Sequence, residues 1–293
     1  MASATARTTR LQALYADTAG SHLAAAGMAL RLRKEGRVWV QTLKGRGDGL
    51  ASRYEHEVVL TGVRGQPTLD ARRHDGTALA ATLQRALQAG GALQTVYRTD
   101  IQRLHRRLRH QGAVIELALD RGHLIAGDRK RAVHEIEFEL VSGPVGALPA
   151  LAARWAGRHA LWWDVRTKSE QGFRLAHGLP LVPAVGEPGA RTRAGALQSL
   201  LSHALPNAAE LAGGSGQAAH LHELRLALRA LALALRPADA GAADQARWLL
   251  TELAHAGAAP ATVRSAPFTA LMLRVLALAM AMALSMHPPL AAR

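Results

Sequence analysis

The feature that most constrains this chain is a strict alternation of charge and apolarity within short segments. In His134–Val141, Glu135, Glu137 and Glu139 alternate with Ile136, Phe138 and Leu140. Successive side chains of a strand point to opposite faces, so such a segment places carboxylates on one face and an apolar surface on the other. The same pattern recurs. Arg31 and Arg33 oppose Leu30 and Leu32, Glu55 and Glu57 oppose Tyr54 and Val58, and Glu116 shares a face with Asp120. Turns containing Gly or Asp separate these runs, which predicts antiparallel sheet. A half-exposed sheet with its charges in water would satisfy the pattern. A closed barrel whose polar faces turn inward to line a tunnel would satisfy it too. In the tunnel reading, facing carboxylate rows need a cation between them. An all-oxygen ligand set suits Mg²⁺ or Mn²⁺, while arginine forks suit phosphate oxygens.

The second half has a different period. Between the strands, Leu79, Leu83 and Leu87 predict a helix over Ala78–Gln88 that stops at Gly90–Gly91. A linker rich in proline and glycine occupies residues 178–194. After it, helical patterns run through Gly195–Leu205, His220–Leu235, Ala242–Ala256 and Ala266–Met286. The expected class is therefore α+β, with a strand-rich domain over residues 1–177 and a small helical bundle over residues 195–293.

Composition narrows the partners. Lys and Arg number 36 against 22 Asp and Glu, a formal net charge of +14, which favours polyanions. Aromatic content of 4% leaves no stacking platforms and no nucleic-acid reading motif, so specific nucleic-acid binding is not expected. There is no cysteine, hence no thiolate nucleophile and no cysteine-held zinc, as suits a cytoplasmic protein. The apolar stretch Leu271–Met286 reads as a buried helix, and no membrane partner is expected. His220 and His222 read as solvated or helix-capping residues, because an i, i+2 pair faces two sides of a helix.

Several motifs in sequence carry a family resemblance. Tyr15-x-Asp17-Thr18 is followed by Gly27-x-Ala29-Leu30-Arg31-x-Arg33 and by Gln41-Thr42-Leu43-Lys44. Downstream come Arg53–Glu57, Tyr97–Asp100, Ile115–Gly122, the Glu135-x-Glu137-x-Glu139 strand and Thr167–Phe173. Together these resemble the CYTH superfamily of tunnel proteins over about residues 10–177. The helical half is similar to a shortened CHAD domain, carried by His222–Arg229.

The resemblance implies a metal-dependent inorganic triphosphatase that hydrolyses tripolyphosphate to pyrophosphate and phosphate. It implies Arg31, Arg33, Lys44, Arg98 and Lys168 as phosphate-gripping residues. It implies Glu55, Glu57, Glu135, Glu137, Glu139 and Asp120 as ligands for Mg²⁺ or Mn²⁺, and Asp17 and Thr18 as structural turn residues. The family's opening Glu-x-Glu-x-Lys strand has no counterpart before Arg10, so the tunnel is expected to lack its first strand. An edge left unpaired in this way would invite a homodimer. The alternative function is a non-catalytic binder of polyphosphate or another phosphorylated polymer, using the basic run Arg103–His110.

Overall fold

The computed structural model describes residues 5–49, 52–187 and 189–286. Seven strands form one sheet: β1 (Arg7–Thr18), β2 (Ala29–Glu35), β3 (Val38–Gly49), β4 (Ser52–Leu60), β5 (Leu93–His110), β6 (Ala113–Ala126) and β7 (Arg129–Ser142). Their order is β4-β3-β2-β1-β5-β6-β7, in a curled antiparallel half-barrel with β4 and β7 at its two ends among the described residues. The helices are α1 (His22–Ala25), α2 (Ala80–Gly90), α3 (Ala147–His159), α4 (Lys168–His177), α5 (Arg193–Ala212), α6 (Ala218–Leu235), α7 (Ala240–Glu252), α8 (Ala259–Arg264) and α9 (Ala266–Met286).

Register fixes which side chains share a face, because residues directly opposite in an antiparallel pair lie side by side. One row crosses five strands as Tyr97, Tyr15, Arg31, Thr42 and Glu57. The next row carries Thr99, Ala13, Arg33, Val40 and Val59, and a third places Ala29, Lys44 and Glu55 together. These rows line the concave side. The intervening residues face outward, where Leu30 and Leu43 pack with Leu23, Met28 and Leu83 under α1 and α2. Four of those leucines are fully buried, each worth roughly 1.5–3 kcal/mol of transfer free energy. That apolar back is what commits the charged rows to the other face.

Asp17 is a structural residue. Its carboxylate accepts hydrogen bonds from the backbone N–H groups of Thr18, Leu23 and Ala24 at 2.7, 2.9 and 2.9 Å, tying the end of β1 to α1. Thr18 bonds His22.

α4 packs into the concave face. Phe173, Leu175 and Ala176 lie against Ala13, Tyr15, Tyr97 and Ala126, and Leu175 also meets Leu11, Ile101, Leu124 and Val133. Its fifth residue must be glycine, since a Cβ on Gly172 would sit 2.2 Å from the Tyr97 ring. The Thr167 side chain caps the helix by accepting from the Glu170 N–H at 3.0 Å.

The chain divides into two compact units. One holds Met1–Leu108, Glu116–Glu137 and Thr167–Leu179. The other holds Arg109–Ile115, Phe138–Arg166 and Pro180–Arg293. The second unit thus takes in α3 and the tips of β5, β6 and β7 as well as α5 to α9. Its core is leucine and alanine, with Leu201, Leu205, Leu224, Leu228, Leu231 and Leu271 fully buried. Arg166 is buried within it, paired with Asp164 and Glu210, and the His203 Nε2 meets Glu223 at 2.7 Å. His220 takes the capping role, its Nδ1 accepting from the Gln217 N–H at 3.1 Å. α9 is long and apolar enough to cross a membrane by length and composition, while Leu271, Met272 and Val275 are buried inside the bundle.

Candidate active site

Two clusters of charge occupy the concave face of the sheet unit. The first is built by β2, β3 and β4. Arg31 is almost fully buried, and its guanidinium reaches the Thr42 hydroxyl at 3.2 Å and both Glu55 and Glu57 at 3.4 Å. Arg33 meets Glu57 at 3.3 Å and also pairs with Glu35, while Lys44 binds Glu55 at 2.9 Å. Burial works against the Arg31 charge, but Tyr15, Glu55 and Glu57 together raise its pKa. Burial likewise works against the Glu55 carboxylate, and Lys44 and Arg31 outweigh it to lower the pKa. The Nε–H groups of both Arg31 and Arg33 are buried without an acceptor. A buried donor left unmet costs free energy, so these two Nε–H groups are the donors on this wall that could serve an anion.

The second cluster is built by β5, β6, β7 and α4. Asp120, fully buried, accepts two bonds from Arg103 at 2.7 and 2.8 Å and one from the Lys168 ammonium at 2.7 Å. Lys168 also binds Glu137 at 2.7 Å and touches Glu135, and Arg103 touches Glu137. Oxygens of Asp120, Glu135 and Glu137 lie within 4.8 Å of one another. Burial pushes the Glu137 carboxyl up, but Lys168 and Arg103 overcome it and hold the pKa at about 2. At Glu135 burial prevails over Lys168, and the pKa is raised. Lys168 is itself raised, because Glu137, Glu135 and Asp120 outweigh its desolvation. The charge of Lys44 on β3 also contributes to keeping Glu137 on β7 ionised.

Four of the five expected phosphate-gripping residues, Arg31, Arg33, Lys44 and Lys168, stand in these clusters. Arg98 does not. It is exposed and lies directly opposite Leu14, so it shares the outward face of β5. On the concave face the same strand brings Arg103 to the site, its parity matching Tyr97, Thr99 and Ile101. That parity was the available signal; the motif resemblance pointed to its neighbour instead. The six expected carboxylates also divide. Asp120, Glu135 and Glu137 converge. Glu55 and Glu57 serve as partners of Arg31, Arg33 and Lys44, and Glu139 is exposed and stands outside the converging set.

The sequence that builds this sheet, with Tyr15-x-Asp17-Thr18 closing β1, matches the CYTH domain over residues 3–156. The chain belongs to the CYTH family. The matched stretch ends before α4, so Lys168 lies beyond it. Over 164 residues, 55% of the chain, this CYTH protein is 29% identical to an inorganic triphosphatase of Haemophilus influenzae. It covers 44% of that relative, less than half its length. Among solved structures, a Hippeastrum adenylyl cyclase candidate described with a dominant triphosphatase activity is 17% identical, covering 62% of this chain and 87% of its own, with a TM-score of 0.37. An adenylate cyclase candidate from Bacillus halodurans is 19% identical, covering 46% and 67%, with a TM-score of 0.30.

Three carboxylates within one another's reach are a hard-oxygen donor set of the kind Mg²⁺ or Mn²⁺ takes, and the strong ionisation of Glu137 suits such a role. The residues present therefore fit a divalent cation. In this structure the Lys168 ammonium answers the same three charges.

Proposed function

We propose that this CYTH protein is a metal-dependent inorganic triphosphatase, cleaving tripolyphosphate to pyrophosphate and phosphate. The observation that carries the reading is the pair of buried, unmet guanidinium donors on Arg31 and Arg33, on the same concave face as the Asp120–Glu135–Glu137 set. The identity to an inorganic triphosphatase adds support. Arg31, Arg33 and Lys44 bind and orient the phosphate chain, with the arginine forks matching phosphoryl oxygens. Arg103 and Lys168 offset the charge that accumulates as a phosphoryl group is transferred to water. Asp120, Glu135 and Glu137 would hold the Mg²⁺ or Mn²⁺, which when bound neutralises phosphate charge. Burial raises the pKa of Glu135, whereas Lys168 and Arg103 lower that of Glu137, so the two carboxylates differ in acidity.

Phosphate release from tripolyphosphate with Mg²⁺, with Mn²⁺ and with chelator tests the reading, alongside Arg33→Ala and Glu137→Gln. The expected result is metal-dependent release that both substitutions reduce. No release above buffer with either metal, or equal release from variants and parent, would overturn it.

The exposed arginines at 106, 107 and 109, continuing β5 beyond the site, favour a second reading as a polyphosphate binder. Retention of polyphosphate that weakens steeply with salt, without release of phosphate, would select it. We read the helical unit as CHAD-like on the strength of His222–Arg229, and as a contributor to polyanion binding in either case.

A further inference from the structure

The two charge clusters are carried by elements far apart in sequence, yet one pair of rings touches both. Tyr15 of β1 and Tyr97 of β5 are stacked, with centroids 4.5 Å apart and planes inclined by 15°. Both are buried, at 4% and 5% exposure, on the floor of the concave face. Each bears on a different cluster. Tyr15 lies directly opposite Arg31 in the β1–β2 register, which sets the two side chains beside each other on the concave face. The Tyr97 hydroxyl donates to the Ser169 carbonyl at 3.0 Å, one residue after Lys168 in the first turn of α4. The Tyr97 ring also bears on Gly172, so the helix is seated against it along a full turn.

We propose that the stacked Tyr15–Tyr97 pair is a positioning device that sets Arg31 and Lys168 in register with each other across the site. This rests on the triphosphatase reading for its kinetic consequence and on geometry alone for the mechanical tie. Stacked rings carry position well. They resist sliding and compression, and a buried tyrosine with its hydroxyl satisfied has few alternative rotamers. Lys168 needs such help, because it belongs to a ten-residue helix entered from an irregular segment, whereas Arg31 is fixed by a hairpin. A small displacement of a charge-neutralising group costs rate out of proportion to its size.

The test uses the full chain with Tyr97→Phe and Tyr15→Phe, which keep the stack and remove one hydroxyl each. Amide exchange of residues 169–173 is expected to quicken in Tyr97→Phe and to remain as in the parent in Tyr15→Phe. For tripolyphosphate with Mg²⁺, Tyr97→Phe should lower kcat about tenfold, and Tyr15→Phe should raise KM about tenfold. In a Lys168→Met background, Tyr97→Phe should have no further effect, since its route to the chemistry is gone. A merely structural tyrosine would add its loss undiminished, and that result would overturn the proposal. So would kinetics within twofold of the parent for both variants. Should the parent neither bind nor hydrolyse tripolyphosphate, the functional reading falls on its own. The exchange experiment still decides the tie, which is refuted if α4 exchanges at the same rate with and without the Tyr97 hydroxyl.

Discussion

The two walls of the concave face differ in the sign of the charge each buries most deeply. On the β2–β4 wall the deepest group is a cation: the Arg31 side chain is 7% exposed, against 37% and 43% for Glu55 and Glu57. On the β5–β7 wall the deepest group is an acid, Asp120, at 1%, and cations are brought to it, one from β5 and one from α4. Apart from that deepest group both walls mix donors with acceptors, since Arg103 and Lys168, at 17% and 14%, are also less exposed than Glu137 and Glu135, at 33% and 31%. A phosphate chain with a divalent cation needs both, and the difference follows from which charge the fold desolvates.

The sharpest way to break the comparison is Asp120→Ala. It strips the acceptor shared by Arg103 and Lys168 and leaves two buried cations without it, so a loss of about 3–5 kcal/mol is expected in denaturant unfolding. A loss below about 1 kcal/mol would mean the second wall is not organised around this group.

The outward side of the first wall supplies a contrast in charge state. His74 is fully buried, and its Nε2 accepts from the Gln41 amide at 3.0 Å, while its Nδ1 faces that of His56 at 2.9 Å. Burial, then His56 and Arg73, lower its pKa to about 4. The unfolded chain, near 6.5, thus binds the extra proton between those values. This contribution to stability is complete above about pH 6.5 and is lost as pH falls through 4, up to about 3 kcal/mol in all. Urea midpoints measured across that window should fall with acid, and His74→Gln should flatten the slope.

Within the first wall, Arg31→Ala is expected to lower triphosphate hydrolysis about 100-fold, as for removal of a preorganised donor. Lys44→Ala, more exposed, should cost about tenfold. The reverse ranking in kcat/KM would show that burial does not rank these donors. The smallest effect is expected for Arg98→Ala. Exposed on the outward face, it should change stability by less than about 0.5 kcal/mol and leave hydrolysis at the parental rate.

The first wall was the more legible of the two in sequence. Arg31, Arg33, Lys44, Glu55 and Glu57 lie on consecutive hairpins, where alternation alone assigns the face. α2 was also readable, ending at Gly91 with φ 74 after its leucine repeat. The second wall depends on contacts between residues such as Arg103 and Glu137, 34 positions apart, and on α4, whose polar sequence shows no leucine repeat. A motif pointed to Lys168 but gave no helix. Parity along the unbroken 18-residue β5 was needed to choose Arg103 over Arg98. The run Arg103–His110 looked like a single basic surface, yet His105 and Arg107 turn toward Glu116.

Lys168 has one further consequence. By resting among Asp120, Glu135 and Glu137, its ammonium balances their negative charge from within the chain, so the three carboxylates are held together by a countercharge of the protein's own. A divalent cation held by the same carboxylates would have to compete with that tethered ammonium.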